Sequence, residues 1–197
     1  MKNVFIDLET TGLNAYKNGV HQIAVLYEDT ALQGTEDGIY CDGLVIRCQP
    51  FPEDEIVDKA LEVGGVTRED LEGFMLPEEA FAQFTAFLCK YINSFNKADK
   101  AFFYAYNAKF VEEFLRAWFT KNKNRYFGSC FWTPIEDVMG LVGEKLKPVR
   151  HQMKDFKQGT VARQIGLEVD EEALHDAMYD VHLARQIYQW VCAQNGV

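Results

Sequence analysis

The opening run NVFIDLETTGL places the tightest constraint on what this chain can fold into. Asn3 to Leu8 is apolar enough for a strand buried in a sheet, yet the run closes on Asp7, Glu9 and the turn-forming TTG. Alternation along a strand sends Asp7 and Glu9 to one face. Two acids ending a buried strand need partners or a metal, because desolvating an unpaired carboxylate is costly. Paired carboxylates on a rigid strand are also a good base for hard divalent cations. Read alone, Asp-x-Glu is short enough to arise by chance and is equally a structural pair.

The rest of the chain supplies the layers such a strand requires. GVHQIAVLYE and GIYCDGLVIRC read as the next two strands, separated by a polar stretch around Gly34, and three strands in succession give an antiparallel meander. Residues 50–73 are acidic and irregular, with Thr67 and Asp70 spaced to cap a short helix. Between Leu76 and Phe95, Pro77 leads a helical spacing of Ala80, Phe81, Phe84, Phe87, Leu88 and Tyr91, which predicts a long amphipathic helix. KAFFYAY reads as a buried strand. After it, YNAKFVEEFL opens a helix with Asn107 as N-cap and an apolar stripe of Val111, Leu115 and Trp118. Further helices are expected over TPIEDVMGLVG from Thr133, over KDFKQGTVARQIGL up to Gly166, and over EEALHDAMYDVHLARQIYQWVCAQ, with 122–131 as a loop. Strands first, then helices alternating with a strand, indicate one α/β domain over 1–197 with a mixed sheet.

Composition narrows the function classes. The apolar runs are too short to cross a bilayer, and the amino terminus lacks the cleavage site of a secretory signal, so a cytoplasmic protein is expected. Cys41, Cys48, Cys89, Cys130 and Cys192 are widely spaced and include no C-x-x-C pair, which argues against a disulfide framework or zinc site and for reduced, mostly buried thiols. A net charge of -10 argues against broad electrostatic affinity for nucleic acid. The charge is divided, however: residues 28–80 hold 15 acidic against 3 basic residues, and residues 116–163 hold 10 basic against 4 acidic. One face can still hold phosphates.

A second constellation, HDAMYD, lies near the start of the final helix. There His175, Asp176 and Asp180 are either a capping group and a solvated i, i+4 pair, or a face that completes a metal site with Asp7 and Glu9. His21, His151 and His182 have no such setting and read as structural. FIDLETTGL, YNAKF and HDAMYD occur in the order and spacing of the DEDDh family of 3'-5' exonucleases, and the chain resembles its proofreading epsilon-subunit branch. VGGVTREDL and KQGTVARQIGLEVDEEALHDAMYD are similar to further family blocks, so the resemblance covers nearly the whole chain.

That resemblance implies a ribonuclease H-like fold, a sheet of about five strands flanked by helices. It also implies two bound Mg2+ or Mn2+ ions and release of nucleoside monophosphates from the 3' end of single-stranded DNA or RNA. Asp7 would bridge both metals, Glu9 and Asp180 would complete the tighter site, and His175 would be the general base. Thr10, Gly12 and Leu13 would lie beside the terminal nucleotide, with Leu13 wedged against its base. Asn107 of the middle motif belongs with these substrate-binding residues, whereas Phe110 reads better as core.

Two positions depart from the family. The middle motif has Val111 where the family has an Asp supporting the second metal, so that ion is expected to be held less well. As a substitute, Glu112 turns about 100° away along the helix and would reach only from a distorted helix start, and Asp137, from another helix, is a more distant candidate. Gly64 stands where many relatives have a His that contacts the substrate phosphate. The chain ends near the end of the catalytic domain, without an evident polymerase-binding tail, so a stand-alone enzyme is expected. The competing reading is a catalytically impaired module that binds single-stranded nucleic acid or a protein partner.

Overall fold

The computed structural model describes residues 1–31 and 39–194, so the stretch expected around Gly34 lies outside the described residues. Three strands come first: β1 (Lys2–Thr10), β2 (Val20–Asp29) and β3 (Tyr40–Arg47). Two short helices follow, α1 (Asp58–Val63) and α2 (Arg68–Glu72), then α3 (Pro77–Cys89), β4 (Phe102–Ala105) and α4 (Ala108–Lys121). The chain continues through α5 (Phe127–Cys130), β5 (Glu136–Asp137), α6 (Val138–Leu146), a 3-10 turn at Arg150–Gln152, α7 (Gln158–Gln164) and α8 (Ala177–Gln194).

The sheet order is β3-β2-β1-β4-β5, with β1, β2 and β3 antiparallel and β4 and β5 parallel to β1. This is the mixed sheet expected. β1 is central, and both of its faces are covered, which explains its continuous apolar run. Val4, Ile6 and Leu8 pack with Phe84 of α3 and Leu115 of α4, while Phe5 packs on the other side with Val181 and Ile187 of α8.

Two contacts fix α8 to the sheet. Ala177, Val181, Ile187 and Val191 recur along its buried side, and each large aliphatic contributes on the order of 1.5–3 kcal/mol by leaving water. Alongside this stripe, Arg185 Nε donates to Glu28 Oε2 at 2.5 Å, and Asn3 Nδ2 donates to Glu28 Oε1 at 2.9 Å. The Arg185 and Glu28 side chains are only 12% and 5% exposed. The pair therefore sets the position of α8 against β1 and β2.

Several boundaries differ from the sequence reading, each for a local reason. The last helix starts at Ala177, not in the EEAL segment, because Asp176 Oδ1 accepts the backbone N–H groups of Met178 and Tyr179 at 3.1 and 3.0 Å and caps it there. His175 precedes the helix with a φ of 73°. The α3 helix stops at Cys89, short of Phe95, since Asn93 and Asn96 side chains accept from Phe95 N and Ala98 N and favour turns. Thr133 does not open α6: residues 136–137 pair with β4 first, and Asp137 caps the helix. Asn107 occupies the N-cap position of α4 with φ 60°, but its side chain caps nothing. Asp137 Oδ1 instead accepts from Ala108 N at 3.1 Å. Part of the expected loop at 122–131 is α5. The Thr67–Asp70 capping box forms as read. None of the cysteines is in a disulfide, but the thiols are less buried than expected: Cys48 is buried, Cys41, Cys130 and Cys192 are half-buried, and Cys89 is exposed.

Replacing Arg185 by Ala leaves Glu28 buried without its cation. The expected loss is about 3–5 kcal/mol of unfolding free energy, measured by urea denaturation, and an unchanged midpoint would show that the pair does not anchor α8.

Candidate active site

The carboxylates of the first strand meet the last helix at one edge of the sheet. Asp7 and Glu9 alternate with Leu8 in β1 and share the face of Asn3, whose amide reaches Glu28 and through it Arg185 of α8. Asp180 stands in the first turn of α8. Glu9, His175 and Asp180 each offer a ligand atom within 4.8 Å of the others. The backbone N–H of His175 donates to Asp180 Oδ2 at 3.3 Å, so the turn before α8 and the acid of its first turn hold each other. Gln158 of α7 donates to the Asp180 carbonyl at 2.6 Å.

Asp7 belongs to the same electrostatic group. Burial pushes its carboxyl well above the ordinary range, and the charges of Glu9 and Asp180 push it further. Glu9 is raised to about 7, by burial first and then by Asp180 and Asp176. Burial also raises Asp180, against the opposing pull of the His175 N–H and imidazole. Asp180 Oδ1 is buried and has no hydrogen-bond partner among the described residues. Carboxyls gathered so closely, with one orphaned buried oxygen, fit a divalent cation: a positive charge at that point offsets both the repulsion and the desolvation. His175 is exposed, and a cavity of about 270 Å³ opens beside it and Asp180, lined also by Lys154, Lys157 and Arg163. These cations lie within the basic stretch of the sequence.

The other sequence-predicted residues surround this edge. Thr10 is buried and donates to the Gly12 carbonyl at 2.8 Å. A side chain at Gly12 would meet the Asn18 amide at 2.4–2.5 Å, so the turn after β1 closes only around glycine. Leu13 stands on that turn, 87% exposed. Asn107 is exposed two residues after β4, whose Tyr104 pairs with Phe5 in the middle of β1. Phe110 is half-buried and packs on Phe114 with ring centroids 4.7 Å apart, the core role expected of it.

Val111 is 2% exposed within the core, together with Leu115 and Trp118. No adjacent acid takes its place: Glu112 pairs with Arg116 at 2.7 Å, Glu113 is exposed, and Asp137 Oδ1 accepts from Ala108 and Met139. Gly64 adjoins the site, since a methyl group there would lie 3.6 Å from Glu9 Oε2. The structure adds residues that the sequence reading passed over: Gln158, Lys154 and Lys157. Only the basic stretch offered a sequence signal for any of them.

A carboxylate and imidazole cluster thus stands at the end of the central strand of a mixed, doubly covered sheet. Residues 4–188 match the RNase_T family, described as Exonuclease, and the chain belongs to that family. The resemblance to DEDDh 3'-5' exonucleases is thereby borne out. Among relatives, the chain is 28% identical over 191 residues to "Ribonuclease T" of Buchnera aphidicola, covering 94% of this chain and 81% of that protein. It is 26% identical over 185 residues to "DNA polymerase III PolC-type" of Thermotoga petrophila, where the match takes in 94% of this chain but 11% of that protein. Its fold matches that of E. coli exonuclease I, solved as an ExoI-ssDNA complex in its zinc-bound form, with a TM-score of 0.77 at 18% identity, over 99% of this chain and 41% of that one. The chain therefore spans less than half the length of both the polymerase and exonuclease I. The ribonuclease H-like architecture expected from the motifs agrees with this likeness. No helix of the described residues is long and apolar enough to cross a membrane.

The raised Glu9 carboxyl has a consequence for stability. Its folded value of about 7 lies above its ordinary 4.5, so the folded state holds the proton more tightly and loses stability as pH rises through that interval. Glu9→Gln cannot ionise. Without metal, the melting temperature of Glu9→Gln is expected to exceed that of the wild type increasingly between about pH 5 and pH 8, by several degrees at the upper end. Calorimetric scans showing a constant difference would contradict the assignment of Glu9 to a crowded, desolvated cluster.

Proposed function

We propose that this chain is a metal-dependent 3'-5' exonuclease that hydrolyses the terminal phosphodiester of single-stranded nucleic acid, DNA foremost, and releases nucleoside monophosphates. The observation that carries this reading is the convergence of Glu9, His175 and Asp180 within 4.8 Å, beside Asp7. The family assignment and the ssDNA bound by exonuclease I support it. We read 1–197 as a single exonuclease-like domain.

Asp7, Glu9 and Asp180 are the residues to hold Mg2+ or Mn2+. When bound, such ions neutralise phosphate charge and lower the pKa of a water nucleophile. His175 sits at the solvent side of the cluster, where an imidazole accepts the proton of the attacking water and passes it to bulk water. The main-chain bond from His175 to Asp180 holds that turn against α8. Lys154 and Lys157, lining the cavity next to His175, attract the phosphates of the strand despite the net acidity of the chain. Leu13, exposed on the glycine turn with Thr10 and Gly12 beneath it, offers an apolar surface to the terminal base, and Asn107 a polar one. With Val111 buried in the core, the second ion has one acid fewer, and turnover is slower than four carboxylates would support. Val111 is also the observation that favours the second reading, a binding module without activity.

With Mn2+, a 5'-labelled single-stranded oligonucleotide is expected to shorten stepwise from its 3' end. His175→Ala should slow this by roughly 10²–10⁴-fold, and Asp7→Ala should abolish both shortening and tight Mn2+ binding. No ladder from the wild type, together with a ladder from Val111→Asp, would overturn the enzyme in favour of the module.

A further inference from the structure

His21 lies in a bulge of β2 opposite the end of β1. The pairing runs from Glu9 to Gln22 and from Thr10 to Val20, which leaves His21 as the extra residue. Its side chain is fully buried, and among the described residues neither ring nitrogen has a hydrogen-bond partner. Burying such a ring without partners costs stability that an apolar side chain of similar size would not. Gln22, 4% exposed, likewise leaves its Nε2 buried without a partner among the described residues.

Both groups border the same carboxylate. Gln22 stands directly across from Glu9, on the same face of the sheet. A methyl group on Gly64 would lie 3.7 Å from His21 Nε2 and 3.6 Å from Glu9 Oε2, so ring and carboxylate flank one small space that the glycine keeps clear. Among the described residues, none donates a hydrogen bond to the Glu9 carboxylate. Two buried donors without acceptors thus adjoin one acceptor without donors.

We propose that His21 is a positioning residue: its ring N–H, backed by the Gln22 amide, hydrogen-bonds the Glu9 oxygen turned away from a bound divalent cation and holds Glu9 in its ligating orientation. The inference rests on the metal-dependent reading above. Carboxylates that ligate metals are commonly oriented by hydrogen bonds of this outer kind, and losing one weakens metal affinity by about 10–100-fold. The bulge brings His21 to the edge where Glu9 is ligand, which a regular strand pairing would not do.

The test compares His21→Leu with His21→Gln. In His21→Leu the metal-free melting temperature is expected to hold or rise, while Mn2+ affinity measured by calorimetric titration falls about tenfold or more. His21→Gln keeps an N–H donor and should recover a substantial part of that affinity. An independent reading comes from the imidazole ¹⁵N resonances during Mg2+ titration, where the His21 nitrogens, assigned by their loss in His21→Gln, should shift on binding. Unchanged Mn2+ affinity in His21→Leu, or equal losses in both variants, would overturn the inference while leaving the exonuclease reading intact. Mg2+ binding without a His21 shift would do the same. A wild type that binds neither ion would overturn both.

Discussion

The structure depends on a conflict at the end of β1, where a strand buried on both faces carries acids that it cannot leave uncompensated. Asp7 and Glu9 face α8 because side chains alternate along β1, and Asp180 faces them because α8 is fixed by its apolar stripe and by the Arg185–Glu28 pair. The result is a group of carboxyls pushed toward their neutral forms by burial and by one another. Such an arrangement would be unfavourable as a purely structural motif, and it becomes favourable once a divalent cation supplies the missing charge. The stability of α8 packing and the chemistry of the site are therefore linked, since the pair that orients the helix also sets the crowding of its first acid against the strand.

Val111 and Gly64 alter this centre in different ways. Val111 gives the start of α4 to the core, where it packs with Leu115 and Trp118. Gly64 leaves space beside Glu9, and the buried ring of His21 reaches the same space from the β2 bulge. The cationic side chains near His175 come from the loop before α7 and from α7 itself, so positive charge is local to the site even though the chain as a whole is acidic.

Much of this was legible in the amino-acid sequence. The apolar run of β1, the meander through β3, the capping box at Thr67 and the buried stripes of α3 and α4 follow from periodicity and local hydrogen bonding, which depend on near neighbours in the chain. The grouping of Asp7, Glu9, His175 and Asp180 followed from motif order and family resemblance. Boundaries were less legible where distant residues intervene. Asn107 has the composition of an N-cap, yet it is Asp137, 29 positions ahead of Ala108, whose carboxylate oxygen accepts from the Ala108 N–H, because β5 pairs beside β4. The last helix begins at Ala177 because Asp176 caps it there, although the residues before it have helical composition.

His21 shows the limit most clearly. In sequence it is one polar residue in an apolar strand, with nothing to set it apart from a core histidine. Its relation to Glu9 exists only because a bulge offsets the pairing and because Gly64, from another segment, keeps its backbone close without a side chain. By itself the sequence determined most of the element types, the faces of β1, α3 and α4, and the identity of the acids, since these arise from short-range periodicity. Only the tertiary structure decided which donors, caps and cations surround those acids, because those contacts join segments far apart in the chain and their distances are set by packing.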